Sequence, residues 1–278
     1  MVVRVAARAV ASVVVQIGRM IELAAGDASM TVHPDEGGRI GHLRVHGREL
    51  LQHDPANGPL TWGCYPMAPW AGRIRDGRFT FDGMQYQMPL SAPPHAIHGT
   101  GFVSSWEVLD AGLDYCDLQT DLAWPLGGIA TQHLQLDEHG LAAVLTVYAT
   151  ARALPAVLGW HPCFVKPLRA DLEFAHMYVR DSDYIAVANL VPPKARPWDD
   201  CFIEPLAPIR LHHRDLTVTI SSDCDHWVVY DLPDDLTCVE PQSGPPDAFN
   251  IGGSTRLEPG EMLQRHMALG WRRNREQS

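Results

Sequence analysis

The chain has 278 residues, with 33 acidic side chains against 22 basic ones and a formal net charge of −11 at pH 7. Nucleic-acid binding usually requires a basic surface that displaces counterions from phosphate groups, so this acidity argues against a nucleic-acid partner. A neutral small molecule is the more compatible ligand. Fourteen histidines are many for this length, and since imidazole titrates near neutral pH they offer proton transfer more readily than other side chains.

The first nineteen residues combine three arginines with a short apolar run, and they superficially resemble a targeting segment. The run is too short to span a bilayer, so no membrane association is predicted. A weak signal peptide is the alternative interpretation. We expect residues 1–19 to be a poorly ordered extension and residues 20–278 to form a single domain, as is common for all-β chains of this size.

From residue 20 onward, short apolar or alternating segments are separated by Gly, Pro, Asp and Asn, which predicts strands and turns rather than helices. Segments at 30–33, 39–47 and 49–53 predict an opening meander. Next, RFTF and MQYQMPL flank Asp82 and Gly83, which suit a tight hairpin turn with positive φ. Further strands are predicted, in chain order, in SWEVLDAG, YCDLQTDL, TQHLQLDEHG, LAAVLTVYAT, LTVTISS, HWVVYDL and TCVEP.

So many short strands predict an all-β fold, a large antiparallel β-sandwich whose concave face or rim can hold a ligand. The Pro-rich stretch at 190–200 is predicted to be an ordered loop. The six cysteines include no Cys-x-x-Cys pair, which indicates neither a zinc ribbon nor a thioredoxin-type redox site. Reduced thiols in the cytoplasm are the simplest interpretation. Whether the chain is a monomer or a homodimer stays open.

The segment CVEPQSGPPDAFN at 238–250 places Glu240 among prolines and a glycine. Pro241 biases Glu240 toward an extended backbone, so its carboxylate could project from the end of a strand into a pocket and act as a general base. An ordinary surface glutamate is the alternative. Gln242 could orient this carboxylate or bond to a ligand hydroxyl.

Two histidine segments lie upstream. His161, in GWHPCF, is flanked by an aromatic residue and a proline that would hold the imidazole in place, so it is either a general acid or a core histidine bonded to a carbonyl. His95 and His98, in HAIHGTGF, have the spacing of metal ligands. Because prolines precede them and Gly99 follows, a loop is expected, and hydrogen bonding from His98 to a ligand is favoured over zinc. No metal and no cofactor are predicted.

Several other polar or aromatic side chains are candidates for ligand binding. Arg73 is favoured over Arg75 and Arg78, for which an exposed loop paired with Asp76 suffices. Either carboxylate of the WDDCF segment could accept hydrogen bonds from sugar hydroxyls, and solvated turn acids are the alternative. Three tryptophans could stack on the apolar face of a sugar ring, although core packing is the commoner role of tryptophan; they are Trp62, Trp70 and Trp160.

Taken together, CVEPQSGPPDAFN, GWHPCF and HAIHGTGF resemble the aldose 1-epimerase (galactose mutarotase) family, over about residues 20–270. The chain looks most like a divergent bacterial epimerase-like branch, because the family's Asn-Arg-Ile is Gly72, Arg73 and Ile74 here. The resemblance implies a large β-sandwich that interconverts the α and β anomers of free aldoses without a cofactor.

The resemblance also implies roles for individual residues. His161 corresponds to the general acid and Glu240 to the general base. His98, Arg73 and one acid of WDDCF correspond to substrate ligands, and the family's spacing to phenylalanine selects Asp199, with Asp200 as the alternative. Three other functions stay open: a hexose-6-phosphate epimerase, a sugar-binding sandwich without catalysis, and a metal-dependent hydrolase.

Overall fold

The computed structural model describes residues 16, 17 and 20–274. Nearly all regular structure in this part of the chain is β-strand. The strands, in chain order, are β1 (Gln16–Ile17), β2 (Met20–Ala25), β3 (Ala28–His33), β4 (Arg39–Val45), β5 (Arg48–Glu49), β6 (Cys64–Met67), β7 (Arg73–Ile74), β8 (Arg78–Phe81), β9 (Met84–Gln87), β10 (Ala96–Ile97), β11 (Glu107–Ala111), β12 (Tyr115–Asp121), β13 (Ile129–Leu136), β14 (Gly140–Tyr148), β15 (Leu154–Ala156), β16 (Gly159–Val165), β17 (Arg169–Asp171), β18 (Phe174–Arg180), β19 (Ala186–Val191), β20 (Asp199–Pro205), β21 (Ile209–His212), β22 (Leu216–Ser222), β23 (His226–Tyr230), β24 (Leu236–Gln242), β25 (Thr255–Leu257) and β26 (Met262–Arg273). The helical elements are α1 (Ala248–Ile251) and 3₁₀ turns at Pro34–Glu36, Pro55–Asn57, Arg75–Gly77 and Gly101–Val103.

Two large antiparallel sheets contain most of these strands. The larger sheet has the order β1-β2-β3-β4-β6-β16-β24-β23-β20-β18-β19, with β5 attached to β4. The smaller sheet has the order β11-β12-β13-β14-β26-β22-β21-β17, and three short two-strand ladders are formed by β7 with β10, β8 with β9, and β15 with β25. The predicted all-β antiparallel sandwich is therefore confirmed.

The hydrophobic core lies between the two large sheets. Along β13 every second residue is buried, which is the period expected where one sheet face is covered. One continuous cluster of buried side chains joins Leu23, Leu43 and Trp160 of the larger sheet to Leu134 and Leu269 of the smaller one. The outer face of the larger sheet is thus left to form a cavity.

The local turn chemistry follows the sequence. Asp82 and Gly83 connect β8 to β9 and have φ angles of 51° and 73°, as a tight hairpin turn requires. The Pro-rich stretch lies between β19 and β20. The expected third strand of the opening meander is shorter than predicted: β5 ends at Glu49, because Leu51 instead forms a bridge with Phe164 of β16.

Of the extension predicted at residues 1–19, the structure describes only residues 16 and 17, which pair with β2. The expectation of poor order for the rest lies outside the described residues. That residues 20–278 form a single domain stays a prediction. In the described part of the chain, no helix has the length and apolar character needed to cross a membrane.

Candidate active site

Neighbouring strands β16 and β24 place His161 opposite Glu240. The antiparallel register pairs Gly159 with Gln242 and Cys163 with Cys238, so His161 and Glu240 lie midway between these pairs. Because side chains alternate along a strand, all six residues belong to the same face of the sheet. His161 Nε2 lies 3.2 Å from Glu240 Oε1. The structure thus brings together the two residues predicted as acid and base.

His161, Glu240 and Gln242 lie at the floor of a cavity of about 450 Å³ on the outer face of the larger sheet. Most of the predicted site residues line it, and apolar and aromatic side chains form its walls. The predicted residues in the lining are Arg73, His98, His161, Asp199, Glu240 and Gln242. Residues that the sequence did not indicate include Leu60, Tyr184, Val228, Tyr230, Leu236 and Cys238.

The imidazole of His161 has a contact on one ring face and at both nitrogens. It stacks on Tyr65 of β6, with ring centroids 4.7 Å apart and an interplanar angle of 13°, and its Nδ1 lies 3.4 Å from Cys163 Sγ. Burial lowers the pKa of His161, but the negative charges of Glu240 and Cys163 outweigh burial and raise this pKa to about 9. His161 is therefore protonated at neutral pH.

Glu240 is buried, with 3% of its side chain exposed. Burial raises the pKa of its carboxyl group to about 7, although the adjacent His161 opposes the shift. The side-chain amide of Gln242 donates to Glu240 Oε2 at 3.3 Å, whereas Gln242 Oε1 is buried without a hydrogen-bond partner. A buried acceptor without a partner is costly, so Oε1 is suited to accept a hydrogen bond from a ligand hydroxyl.

His98 supplies a neutral donor to the same cavity. Its Nδ1 accepts a hydrogen bond from the Gly72 amide at 3.2 Å, so the ring proton is on Nε2. Burial and the charge of His161 hold the pKa of His98 well below its usual value. Position 72 requires glycine, because φ is +72° there and a Cβ would lie only 2.8 Å from Pro246 Cα.

The two acids of WDDCF point in opposite directions because they are adjacent in β20. Asp199 lines the cavity and accepts a hydrogen bond from Arg180 Nη1 at 2.8 Å. Asp200 is buried on the other side, within 3.0 Å of Arg180 Nε and 2.9 Å of Lys194 Nζ. The structure therefore places Asp199 at the cavity and corrects the alternative assignment to Asp200.

The tryptophans lie outside the cavity. Trp160 is next to His161 in β16, so its indole faces the opposite way, into the core, where Nε1 is 3.3 Å from Gln132 Oε1. Trp70 packs against Trp124, and Trp62 lies under Arg39. The expectation that Trp160 contacts a sugar is corrected by this placement.

Two tyrosines, rather than the tryptophans, give the cavity its aromatic wall. Tyr230 lies in β23, directly opposite Cys238, and Tyr184 belongs to the turn between β18 and β19. The position of Tyr230 follows from the alternation of HWVVYDL once its register against β24 is known. No signal in the sequence indicates Tyr184.

The three arginines of AGRIRDGRF lie in different surroundings, and the partners of Arg75 and Arg78 differ from the expected Asp76. Only Arg73 lines the cavity. Arg75 pairs with Asp181 and Asp183 instead of the expected Asp76. Arg78 donates to Gln87 across the hairpin at 2.8 Å. Arg73 is thus the guanidinium available to a ligand in this cavity.

Three groups of side chains in the described part of the chain have the composition and spacing of metal ligands. They are His98, His161 and Glu240; His161, Cys163 and Cys238; and, away from the cavity, His42, Glu49 and His53. None combines His95 with His98. His95 Nδ1 instead accepts a hydrogen bond from the Asp76 amide at 3.1 Å.

Comparison with known proteins identifies relatives of this chain. The uncharacterized protein YphB of Escherichia coli is 28% identical over 138 residues; the match covers 47% of this chain and 47% of YphB, so the chain spans about half the length of that relative. The uncharacterized protein YihR of E. coli is 26% identical over 270 residues, covering 84% of this chain and 87% of YihR.

Among solved structures, a galactose mutarotase-like protein from Clostridium acetobutylicum superposes with a TM-score of 0.82 at 18% identity. The superposition covers 92% of this chain and 95% of that protein, and it shows a shared fold. The sequence model of the aldose 1-epimerase family matches residues 19–270. The chain therefore belongs to the aldose 1-epimerase family.

Proposed function

We propose that this protein interconverts the α and β anomers of a free aldose by opening and reclosing the sugar ring. The observation that carries the proposal is the contact between His161 and Glu240 at the floor of the cavity. Between about pH 7 and pH 9 this pair holds a carboxylate beside an imidazolium. A proton acceptor and a proton donor then lie within one hydrogen-bond length of each other. This spacing suits the anomeric hydroxyl and the ring oxygen of an aldose, which are both bonded to C1.

In the proposed reaction, Glu240 takes the proton from the anomeric hydroxyl while His161 gives a proton to the ring oxygen. The bond between C1 and the ring oxygen breaks, and its electron pair goes to the ring oxygen as the aldehyde forms. Rotation about the C1–C2 bond presents the other face of the carbonyl. The reverse transfers close the ring as the other anomer and restore both groups to their starting protonation states.

The cavity favours a free sugar over a phosphorylated one. The arginines that would favour a hexose 6-phosphate are Arg75 and Arg78, and both lie outside the lining. Arg73 is the basic side chain with a permanent charge in the lining, and the carboxylates of Asp199 and Glu240 share the cavity with it. A phosphate dianion would therefore meet about as much negative as positive charge.

The test is mutarotation of freshly dissolved α-D-glucose and α-D-galactose, followed by polarimetry or NMR. We expect the protein to accelerate anomerisation of at least one of these sugars above the rate in buffer. Acceleration of glucose 6-phosphate alone would favour the phosphosugar epimerase. Saturable binding of the sugars with no acceleration would instead identify a non-catalytic sugar-binding protein.

The rate should depend on pH through the acid and base. Below about pH 7 Glu240 becomes protonated and the base is lost, whereas above about pH 9 His161 loses its proton and the acid is lost. We expect a bell-shaped profile of kcat/KM with its plateau between these values. Because the two groups are in contact, the two apparent pKa values belong to the pair. Initial rates in overlapping buffers, corrected for the reaction without protein, measure the profile; a rate unchanged from pH 5 to pH 10 would contradict the mechanism.

Arg73 should contribute mainly to sugar binding. A hydrogen bond to a charged group contributes about 1.5–3 kcal/mol, so Arg73→Met is expected to raise KM at least about tenfold while changing kcat less. Arg78→Met is the matched control, since Arg78 lies in the same segment but bonds to Gln87 outside the cavity. An equal rise in KM for both variants would contradict the role of Arg73 in sugar binding.

We also propose a cytoplasmic location. All six cysteines are free in the structure, including Cys163 and Cys238, which face each other across two paired strands. A reducing compartment preserves thiols in this state. Fractionation of cells that produce the full-length chain, followed by detection of the protein, tests this location.

A further inference from the structure

Two cysteines lie beside the proposed acid and take no part in the proposed proton transfers. Cys163 and Cys238 are paired residues of β16 and β24, two positions along each strand from His161 and Glu240. They therefore belong to the same face as the acid and base. Sulfur covers the Nδ1 edge of His161, with Cys163 Sγ 3.4 Å from that nitrogen. The opposite nitrogen, Nε2, faces Glu240.

The spacing of these side chains matches a tetrahedral metal site. A ring nitrogen of His161 and the two sulfurs all lie within 4.8 Å of one another. With Zn–S bonds of about 2.3 Å and Zn–N bonds of about 2.0 Å, a tetrahedral ion holds its sulfur and nitrogen ligands roughly 3.5 Å apart. The contact between Nδ1 and Cys163 Sγ already has this length. Closing the remaining distances requires side-chain shifts of about 1 Å or less, by the same bond lengths.

The site can be reached from the cavity. Cys238 and His161 both line the cavity floor, and so does Leu60, whose carbonyl oxygen lies 3.7 Å from Cys163 Sγ. An ion that enters the cavity therefore meets the side chains of two of the three proposed ligand residues. Cys163 lies deeper in the protein than these two residues and supplies the third proposed ligand.

We propose that a divalent ion of the zinc type binds to His161 Nδ1, Cys163 Sγ and Cys238 Sγ, and that it inhibits ring opening. Three bonds to the metal form, and any protons on these three atoms pass to water. The ring of His161 then keeps its Nε2 proton but is no longer an imidazolium, so it cannot give a proton to the ring oxygen in the same way. The inhibition rests on the proposed function, whereas the binding site does not.

Metal binding is tested by titrating the reduced, full-length protein with Co²⁺, whose bonds to thiolates produce charge-transfer absorption in the near ultraviolet. We expect saturation at one ion per chain. Cys163→Ser and Cys238→Ser should each weaken binding by at least about 100-fold, since even loss of a residue that only supports a ligand costs about 10- to 100-fold. Cys116→Ser is the matched control, because Cys116 is equally buried but lies in β12 of the smaller sheet.

Inhibition is tested with Zn²⁺ in the mutarotation assay, each variant being compared with its own metal-free rate. Saturating Zn²⁺ should slow the wild-type protein and the Cys116→Ser variant at least about 100-fold, the lower range of general acid–base catalysis, and a chelator should restore the rate. No saturable Co²⁺ band, or a band unchanged in both Cys163→Ser and Cys238→Ser, would sink the site. A band without any effect of Zn²⁺ on the rate would overturn the inhibition. A band in a protein that accelerates no sugar would sustain the site and refute the proposed function.

Discussion

Replacing Glu240 by glutamine is expected to slow mutarotation by about 100- to 10,000-fold, the range that general acid–base catalysis contributes. Glutamine keeps the size of the side chain but cannot take a proton from the anomeric hydroxyl. His161→Asn should cause a loss of similar size, because it removes the donor to the ring oxygen. The measurement is the initial anomerisation rate with the sugar that the wild-type protein accelerates best.

Two controls make this result specific. His133→Asn removes a half-exposed histidine that pairs with Asp117 on the smaller sheet, and it should leave the rate unchanged. The double variant of His161 and Glu240 should be scarcely slower than either single variant, because residues that act as a unit give non-additive losses. If Glu240→Gln kept more than half of the wild-type rate, the assigned base would be wrong.

Arg39→Met is expected to lower the free energy of unfolding by about 3–5 kcal/mol, since each buried acceptor left without a donor costs about 1–3 kcal/mol. The Arg39 side chain is buried, with 1% of the residue exposed. Its guanidinium donates to four carbonyl oxygens, those of Glu36, Pro59, Trp62 and Phe102, at 2.7–3.2 Å. Methionine would fill part of the volume and leave the carbonyl oxygens of Trp62 and Phe102, whose bonds to Arg39 are buried, without this donor.

Urea unfolding followed by tryptophan fluorescence measures this loss. Arg44→Met is the matched control in the same strand, since the Arg44 side chain is 57% exposed and lies 4.0 Å from Glu49; we expect a change within about 0.5 kcal/mol. The guanidinium of Arg39 also lies 5.0 Å from the centre of the Tyr65 ring, on which His161 stacks. If Arg39→Met and Arg44→Met shifted the unfolding midpoint equally, the network would contribute little to stability.

The strands could be predicted because they depend on local signals, whereas the proposed catalytic pair was named from motifs that resemble those of the family. The repeated alternation of apolar residues defines strands, and Pro241 keeps Glu240 extended. The choice between Asp199 and Asp200 could not be made in the same way, since it depends on the register of β20 against β23, a contact between distant parts of the chain. Tyr184 lies in a turn without any periodic pattern and could not be placed from the sequence.

Some errors could have been avoided with the rule of alternation alone. Trp160 follows Gly159 and precedes His161 in one strand, so a histidine in the cavity requires a tryptophan in the core. The same rule puts Cys163 and Cys238, each two residues from a proposed catalytic side chain, on the cavity face. The spacing His-x-Cys in β16 and Cys-x-Glu in β24 was therefore a usable signal.

The segment between β16 and β24 contributes strands to both large sheets. Some of its residues form one wall of the cavity. That wall includes Tyr184, Asp199 and Tyr230, whereas the proposed proton transfers use only β16 and β24, the two strands that flank this segment. Substitution of the side chains on this wall can therefore reshape the cavity while the strands that carry the reacting pair stay the same. For the proposed reaction, such substitutions would change which sugar is accepted and leave the acid and the base in place.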